Sequence, residues 1–221
     1  CYNQAMLSLI SQPPILLSLM LTLLISFSVH EFSHAWMAYR LGDPTAKDAG
    51  RLTLNPAAHL DLAGTLMLLL GGLGWAKPVP VNGYTVLRRT PAGLMLVSIA
   101  GPLSNLLLAV LAAIPFRLGL VNIYNSSTGF LPTIDQFLDI FIMVNLGLML
   151  FNLLPLAPLD GDKIADYVLP EKWSRKLDVI RPYGPFILIA IVMILPMIGV
   201  DLIGWLVDPV RETLFFLLTG A

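Results

Sequence analysis

Fifteen residues from Ile15 to Val29 (ILLSLMLTLLISFSV) lead without a charge into His30-Glu31-Phe32-Ser33-His34, and the stretch stays helix-compatible to Tyr39. The span predicted from it, about Pro14 to Tyr39, exceeds the ~20 residues a helix needs to cross a bilayer core. Histidines four residues apart lie on one face of a helix, so both imidazoles can reach one metal ion, with Glu31 beside them. The plainer alternative is a wetted helix end with two snorkelling histidines. His30 lies ten residues before Arg40, about 15 Å along a helix. At that depth each polar group costs at least ~2.5 kcal/mol unless it is paired, which favours a built site.

Composition extends the membrane reading to the whole chain. Of 221 residues, 57% are hydrophobic and 12% charged, with a mean hydropathy of +0.80. That is too little charge to coat a soluble surface. A net charge of −1 supplies no basic field and excludes nucleic acid as a partner. The single cysteine, Cys1, can form neither an intrachain disulfide nor a thiolate metal site. Residues 1–13 hold no Lys or Arg, so the positive n-region of a cleavable signal peptide is not expected.

Further apolar runs predict spans at about Pro91–Phe116, Ile134–Leu156 and Tyr183–Val200. Leu202–Leu218 carries Asp208, Pro209, Arg211 and Glu212, and reads as a fifth span or a helix along the interface. Leu62–Ala76 is short and glycine-rich. If it turns back, the basic residues 40–51, 77–89 and 163–181 share one face, which the positive-inside rule makes cytoplasmic. The expectation is an all-α polytopic membrane protein of about 4–6 transmembrane helices, with a re-entrant or membrane-associated segment near residues 62–84. Within it, Lys77–Tyr84 is extended, since Pro78 and Pro80 forbid a helix. No internal repeat is visible, so residues 1–221 are taken as one membrane-embedded domain.

Two imidazoles need a third ligand from elsewhere. Asp43, His59, Asp61, Asp160 and Asp162 are the candidates. Asp160 stands out, because Pro155 and Pro158 must unwind the end of a span just before it and Gly161 allows a sharp turn after it. Zinc suits imidazole nitrogen with carboxylate oxygen and leaves a position open for water.

His30-Glu31-Phe32-Ser33-His34 in a membrane helix, Gly101-Pro102-Leu103-Ser104-Asn105 opening a later one, and Asn152…Pro155…Pro158-Leu159-Asp160-Gly161 together resemble the site-2 protease family of intramembrane zinc metalloproteases. The likeness runs from about residue 20 to 165 and is to the compact bacterial members, without a PDZ or nucleotide-sensing domain. Gly50–His59 is also similar. The resemblance implies one Zn²⁺ per chain on His30, His34 and Asp160, with Glu31 activating water. It further implies an endopeptidase acting on transmembrane protein substrates from within the lipid bilayer of a bacterial plasma membrane, with its site nearer the cytoplasmic face.

Three residues carry weaker expectations. Asn152 reads as a donor to a substrate carbonyl or a brace for unwound chain. His59 either approaches the site and contacts substrate, or caps the next segment or pairs with Asp61. Asn105 reads first as a helix-packing contact and second as a substrate contact. The competing functions are a metal-ion transporter, disfavoured by the absence of repeat symmetry, and a non-proteolytic relative that binds membrane helices. Natural substrate and oligomeric state are not legible.

Overall fold

Pro13 and Pro14 occupy the first turn of the longest helix, α1 (Pro13–Arg40), where a missing N–H leaves no bond unmade. Glycine ends it: Gly42 takes φ +91°, and Asp43-Pro44 follow. The computed structural model describes residues 12–61, 64, 76–122 and 129–220. Of the segment expected to re-enter or associate with the membrane near residues 62–84, residues 62–63 and 65–75 lie outside the described residues.

After α1 come a one-turn helix α2 (Thr45–Asp48), a 3₁₀ turn at Pro56–Ala58, and α3 (Gly83–Arg89). The long helices α4 (Gly93–Arg117) and α5 (Ile134–Asn152) follow. Then come α6 (Asp160–Val168) and α7 (Glu171–Ile180). A 3₁₀ turn at Arg181–Tyr183 continues into α8 (Gly184–Ile189), a π turn at Ala190–Ile194 and α9 (Leu195–Met197). The last helix is α10 (Leu202–Thr219). Among the described residues the only β pairing is an isolated antiparallel bridge between Leu60 and Ala76.

The chain is an all-α polytopic membrane protein. Among the described residues four helical stretches are long and apolar enough to cross a membrane: α1, α4, α5 and Glu171–Met197. That last helical run begins twelve residues before the expected start at Tyr183, because the polar, amphipathic α7 joins the apolar run through Arg181–Tyr183 without a break. Leu202–Leu218 forms α10, which packs on α4 and α5. Its C-terminus is tied to the end of α4, where Arg117 donates through Nε to the Leu218 carbonyl at 2.8 Å. The extended stretch predicted over Lys77–Tyr84 stops at Asn82. There an asparagine accepts from the Thr85 N–H and starts α3, a cap that the proline argument overlooked.

Helices α1, α4 and α5 pack against one another to form the centre. Their facing stripes recur every fourth residue: Ser18, Thr22, Ser26, His30 and His34 on α1, and Val97, Gly101, Asn105, Ala109 and Ala113 on α4. Small or polar side chains point inward, while Leu103, Leu107, Leu111 and Ile114 of α4 are exposed. A water-soluble bundle would reverse that arrangement. In lipid, helices gain by close backbone approach and polar contacts, so inward small residues and outward leucines are the stable choice. Further along, Ala109, Ala113 and Phe116 of α4, Ile142, Leu146 and Met149 of α5 and Phe215 of α10 make the apolar core.

Candidate metal centre

One i,i+4 stripe of α1 delivers both imidazoles to the helix centre, His30 6% and His34 8% exposed. Asp160 arrives from the other side of the sequence, as the first residue of α6. Its Oδ2 lies 3.2 Å from His30 Nε2 and 3.3 Å from His34 Nε2. Of the five candidates for a third ligand, only Asp160 joins the histidines, with all three ligand atoms within 4.8 Å of one another.

The tautomers follow from what the other ring nitrogens touch. His34 Nδ1 meets the Val97 main-chain carbonyl at 2.7 Å, which can only accept, so Nδ1 carries the proton. His30 Nδ1 donates to Asn105 Oδ1 at 2.6 Å. In the neutral ring both Nε2 atoms then present lone pairs toward a carboxylate oxygen. Three acceptors aimed at one point repel unless a cation sits among them. Two donors each about 2.0–2.1 Å from one tetrahedral zinc ion stand about 3.3–3.4 Å apart, which matches the two histidine–aspartate separations. The space is also kept open on one side. A Cβ on Gly101 would lie 2.5 Å from His34 Nε2 and 2.6 Å from His30 Cε1. The donor set and the cradle both fit zinc.

Gly161 has a different task from the turn expected of it. Its φ is not positive. It lies within α6, and a Cβ there would overlap the carbonyls of Leu153 and Leu154. The glycine lets α6 press against the end of α5 and so carries Asp160 to the histidines. The Ala157–Pro158 peptide within this connection is cis.

The remaining candidates sit elsewhere. Asp43 is buried and accepts from the Thr45 N–H, the Thr45 hydroxyl and the Asn82 N–H, tying the end of α1 to the start of α3. Asp162 pairs with Arg181 at 2.7 Å and Lys163 at 3.0 Å. Asp61 caps Gly64 by accepting its N–H. His59 is buried and donates from Nε2 to the Thr53 carbonyl at 2.7 Å, so it belongs to the loop rather than to the histidine–aspartate cluster. Nearby, Arg51 reaches the Lys77 and Pro78 carbonyls and fixes the extended stretch. Asn152 donates to the Leu148 carbonyl at 2.9 Å, inside its own last turn. Glu31 is half-buried, and its carboxylate forms no hydrogen bond with another described residue.

Asn105, expected first as a packing contact, hydrogen-bonds His30 directly. Asn145 on α5 was missed altogether. Its signal was available, since it is the lone amide inside the apolar run Phe141–Leu150, where an unpaired polar group is costly. Asn105 donates to Asn145 Oδ1 at 2.9 Å, and Asn145 donates to the Phe141 carbonyl at 2.8 Å.

Comparison with known proteins places this site in a family. YwhC of Bacillus subtilis is 46% identical over 181 residues, 81% of each chain. Rip2 of Mycolicibacterium smegmatis is 31% identical over 202 residues, covering 84% of this chain and 71% of the relative. Rip2 of Mycobacterium tuberculosis strain H37Rv is 33% identical over 190 residues, covering 82% and 67%. The name of each relative proposes a zinc metalloprotease. Residues 117–195, which include Asp160, match the pattern of Peptidase family M50. No solved structure matches at a significant level. The chain belongs to Peptidase family M50, the site-2 protease family, and is an integral membrane zinc metalloprotease.

Proposed function

We propose that the protein is an intramembrane endopeptidase that hydrolyses peptide bonds of transmembrane or membrane-associated proteins, with His30, His34 and Asp160 holding one zinc ion and Glu31 as general base. The observation that carries this reading is the convergence of two imidazole lone pairs and one carboxylate oxygen, from elements 126 residues apart, at a buried point in a membrane helix bundle. Zinc bound there supplies Lewis acidity, lowering the pKa of water toward neutrality and polarising a carbonyl oxygen. Glu31, next in sequence to one ligand, takes the proton of the attacking water and returns it to the leaving amine nitrogen. Positioned acid–base groups of this kind contribute about 10²–10⁴ in rate.

A substrate helix hides its carbonyls in internal hydrogen bonds, so it must unwind before attack. Asn152 is the proposed donor to the unwound segment, while His59 is assigned to the loop. The distribution of Lys and Arg supports a site nearer the cytoplasmic face, the bacterial relatives support a bacterial plasma membrane, and residues 1–221 are read as one domain.

Purified protein tests this reading against a membrane peptide containing a helix-destabilised segment. Wild type carries one zinc and cleaves. Glu31→Gln keeps the zinc and loses cleavage, whereas His34→Ala and Asp160→Asn lose the metal. Normal cleavage by Glu31→Gln would remove the base assignment, and zinc flux into liposomes without proteolysis would replace the enzyme with a transporter.

A further inference from the structure

We propose that Asn145, whose side chain hydrogen-bonds Asn105 and the Phe141 carbonyl and none of His30, His34 and Asp160, decides which ring nitrogen of His30 is free to bind the metal. The inference rests on His30 being a ligand. Its argument is the direction of a chain of hydrogen bonds. The Phe141 carbonyl can only accept, so the Asn145 side chain must turn its NH₂ toward it, at 2.8 Å. That leaves Asn145 Oδ1 facing Asn105, which must then present its own NH₂, at 2.9 Å. Asn105 Oδ1 is left facing His30 Nδ1 at 2.6 Å, so Nδ1 holds a proton and, in the neutral ring that binds a metal, Nε2 holds the lone pair.

Both asparagines have no solvent exposure, so no water can repair a reversed amide. Turning Asn105 over would set its oxygen against Asn145 Oδ1 and leave a buried N–H unpaired, losses that are large in a low-dielectric interior. Reversed, Asn105 would also offer an N–H to His30 Nδ1. The imidazole proton would then move to Nε2 and point at Asp160, satisfying the carboxylate and removing the ligand. The two tautomers are thus a metal-binding and a metal-refusing state of one site. Asn145 is the positioning residue that selects between them, acting across three helices, α5 to α4 to α1.

The test is zinc affinity, measured by chelator competition in detergent, for wild type, Asn145→Leu, Asn105→Asp and the double variant. Asn145→Leu frees Asn105 to turn over and weakens zinc binding about 10- to 100-fold, as loss of an orienting partner does. A carboxylate at position 105 only accepts, so it holds the proton on Nδ1 whatever residue 145 is. In that background Asn145→Leu is therefore harmless or helpful: the double variant binds zinc more tightly than Asn145→Leu and at least as tightly as Asn105→Asp. Wild-type affinity in Asn145→Leu overturns the proposal. So does a double variant no better than Asn145→Leu, which would make residue 145 a packing element. If Asn145→Leu fails to fold, Asn145→Ser takes its place in every arm. A wild type that binds no zinc, or a His30→Ala variant that binds it unchanged, would instead sink the ligand assignment itself.

Discussion

Gly101 and His34 approach so closely that a Cβ at residue 101 would stand 2.5 Å from both Nε2 and Cε1 of the ring. Neither partner has room to yield, because the ring is anchored at Nδ1 by the Val97 carbonyl, on the helix that carries Gly101. Gly101→Ala is expected to push the imidazoles apart and lower zinc affinity by about 10- to 100-fold, comparable with losing an orienting contact. Metal content after dialysis against a chelator, with helicity checked by circular dichroism, measures it. Retention of zinc at wild-type affinity would show that the cradle is looser than the distances imply.

Gly161→Ala attacks the proposed third ligand, Asp160, from a distance. Its Cβ would meet the backbone carbonyls of Leu153 and Leu154, which cannot swing aside as a side chain can. Overpacking of this kind costs about 1–3 kcal/mol, and relief by moving α6 would draw Asp160 off the histidines. Both a lower Tm and reduced zinc occupancy are expected. A lower Tm with full occupancy would place the strain elsewhere.

Asp162 is buried, and Arg181 reaches it from the end of α7 at 2.7 Å. Arg181→Met leaves that carboxylate with Lys163 alone. Removing one partner of a buried pair costs about 3–5 kcal/mol. The remaining lysine and the partial exposure of Arg181 reduce the expectation to about 1–3 kcal/mol. Thermal melts in detergent check it, and Asp162→Leu added to Arg181→Met should recover part of the loss.

Asp166 ties α6 to α7. The Ser174 hydroxyl donates to its Oδ1 at 2.5 Å, and Arg181 lies 2.9 Å away. The serine hydrogen bond, followed by the arginine, holds its pKa below the ordinary 3.8. A carboxyl lowered on folding stabilises the protein fully above its unfolded pKa, and the contribution fades as pH falls through the folded value. The expected result is a Tm that drops below about pH 4. Ser174→Ala should show a shallower acid dependence, and equal slopes for the two proteins would discount the tie. The effect is small because the carboxylate is partly exposed.

That His30, His34 and Asp160 come together was legible in sequence for a physical reason. His30, Glu31 and His34 break an apolar run whose burial makes every polar group expensive, and Asp160 follows Pro155 and Pro158 in the connection where α5 has ended. What escaped depends on which atom of a side chain meets which neighbour. Asn105 next to Gly101 can be a packing contact or a hydrogen-bond partner at the same spacing, and only the position of α1 decides. Asn145 carries no motif, and its role exists only through α4. Gly161 was read as a turn because glycine permits positive φ, yet here it serves close approach. The start of α3 at Asn82 was hidden behind two prolines that govern only their own vicinity.

The two histidines are secured by unlike means. His30 depends on a pair of amide side chains, each removable by one codon change. His34 leans on the peptide carbonyl of residue 97, which every amino acid supplies. A saturation screen scored on metal retention should therefore find sensitive positions behind one imidazole and a silent one behind the other. The silence at 97 would reflect where the support is written in the chain, not how much it matters.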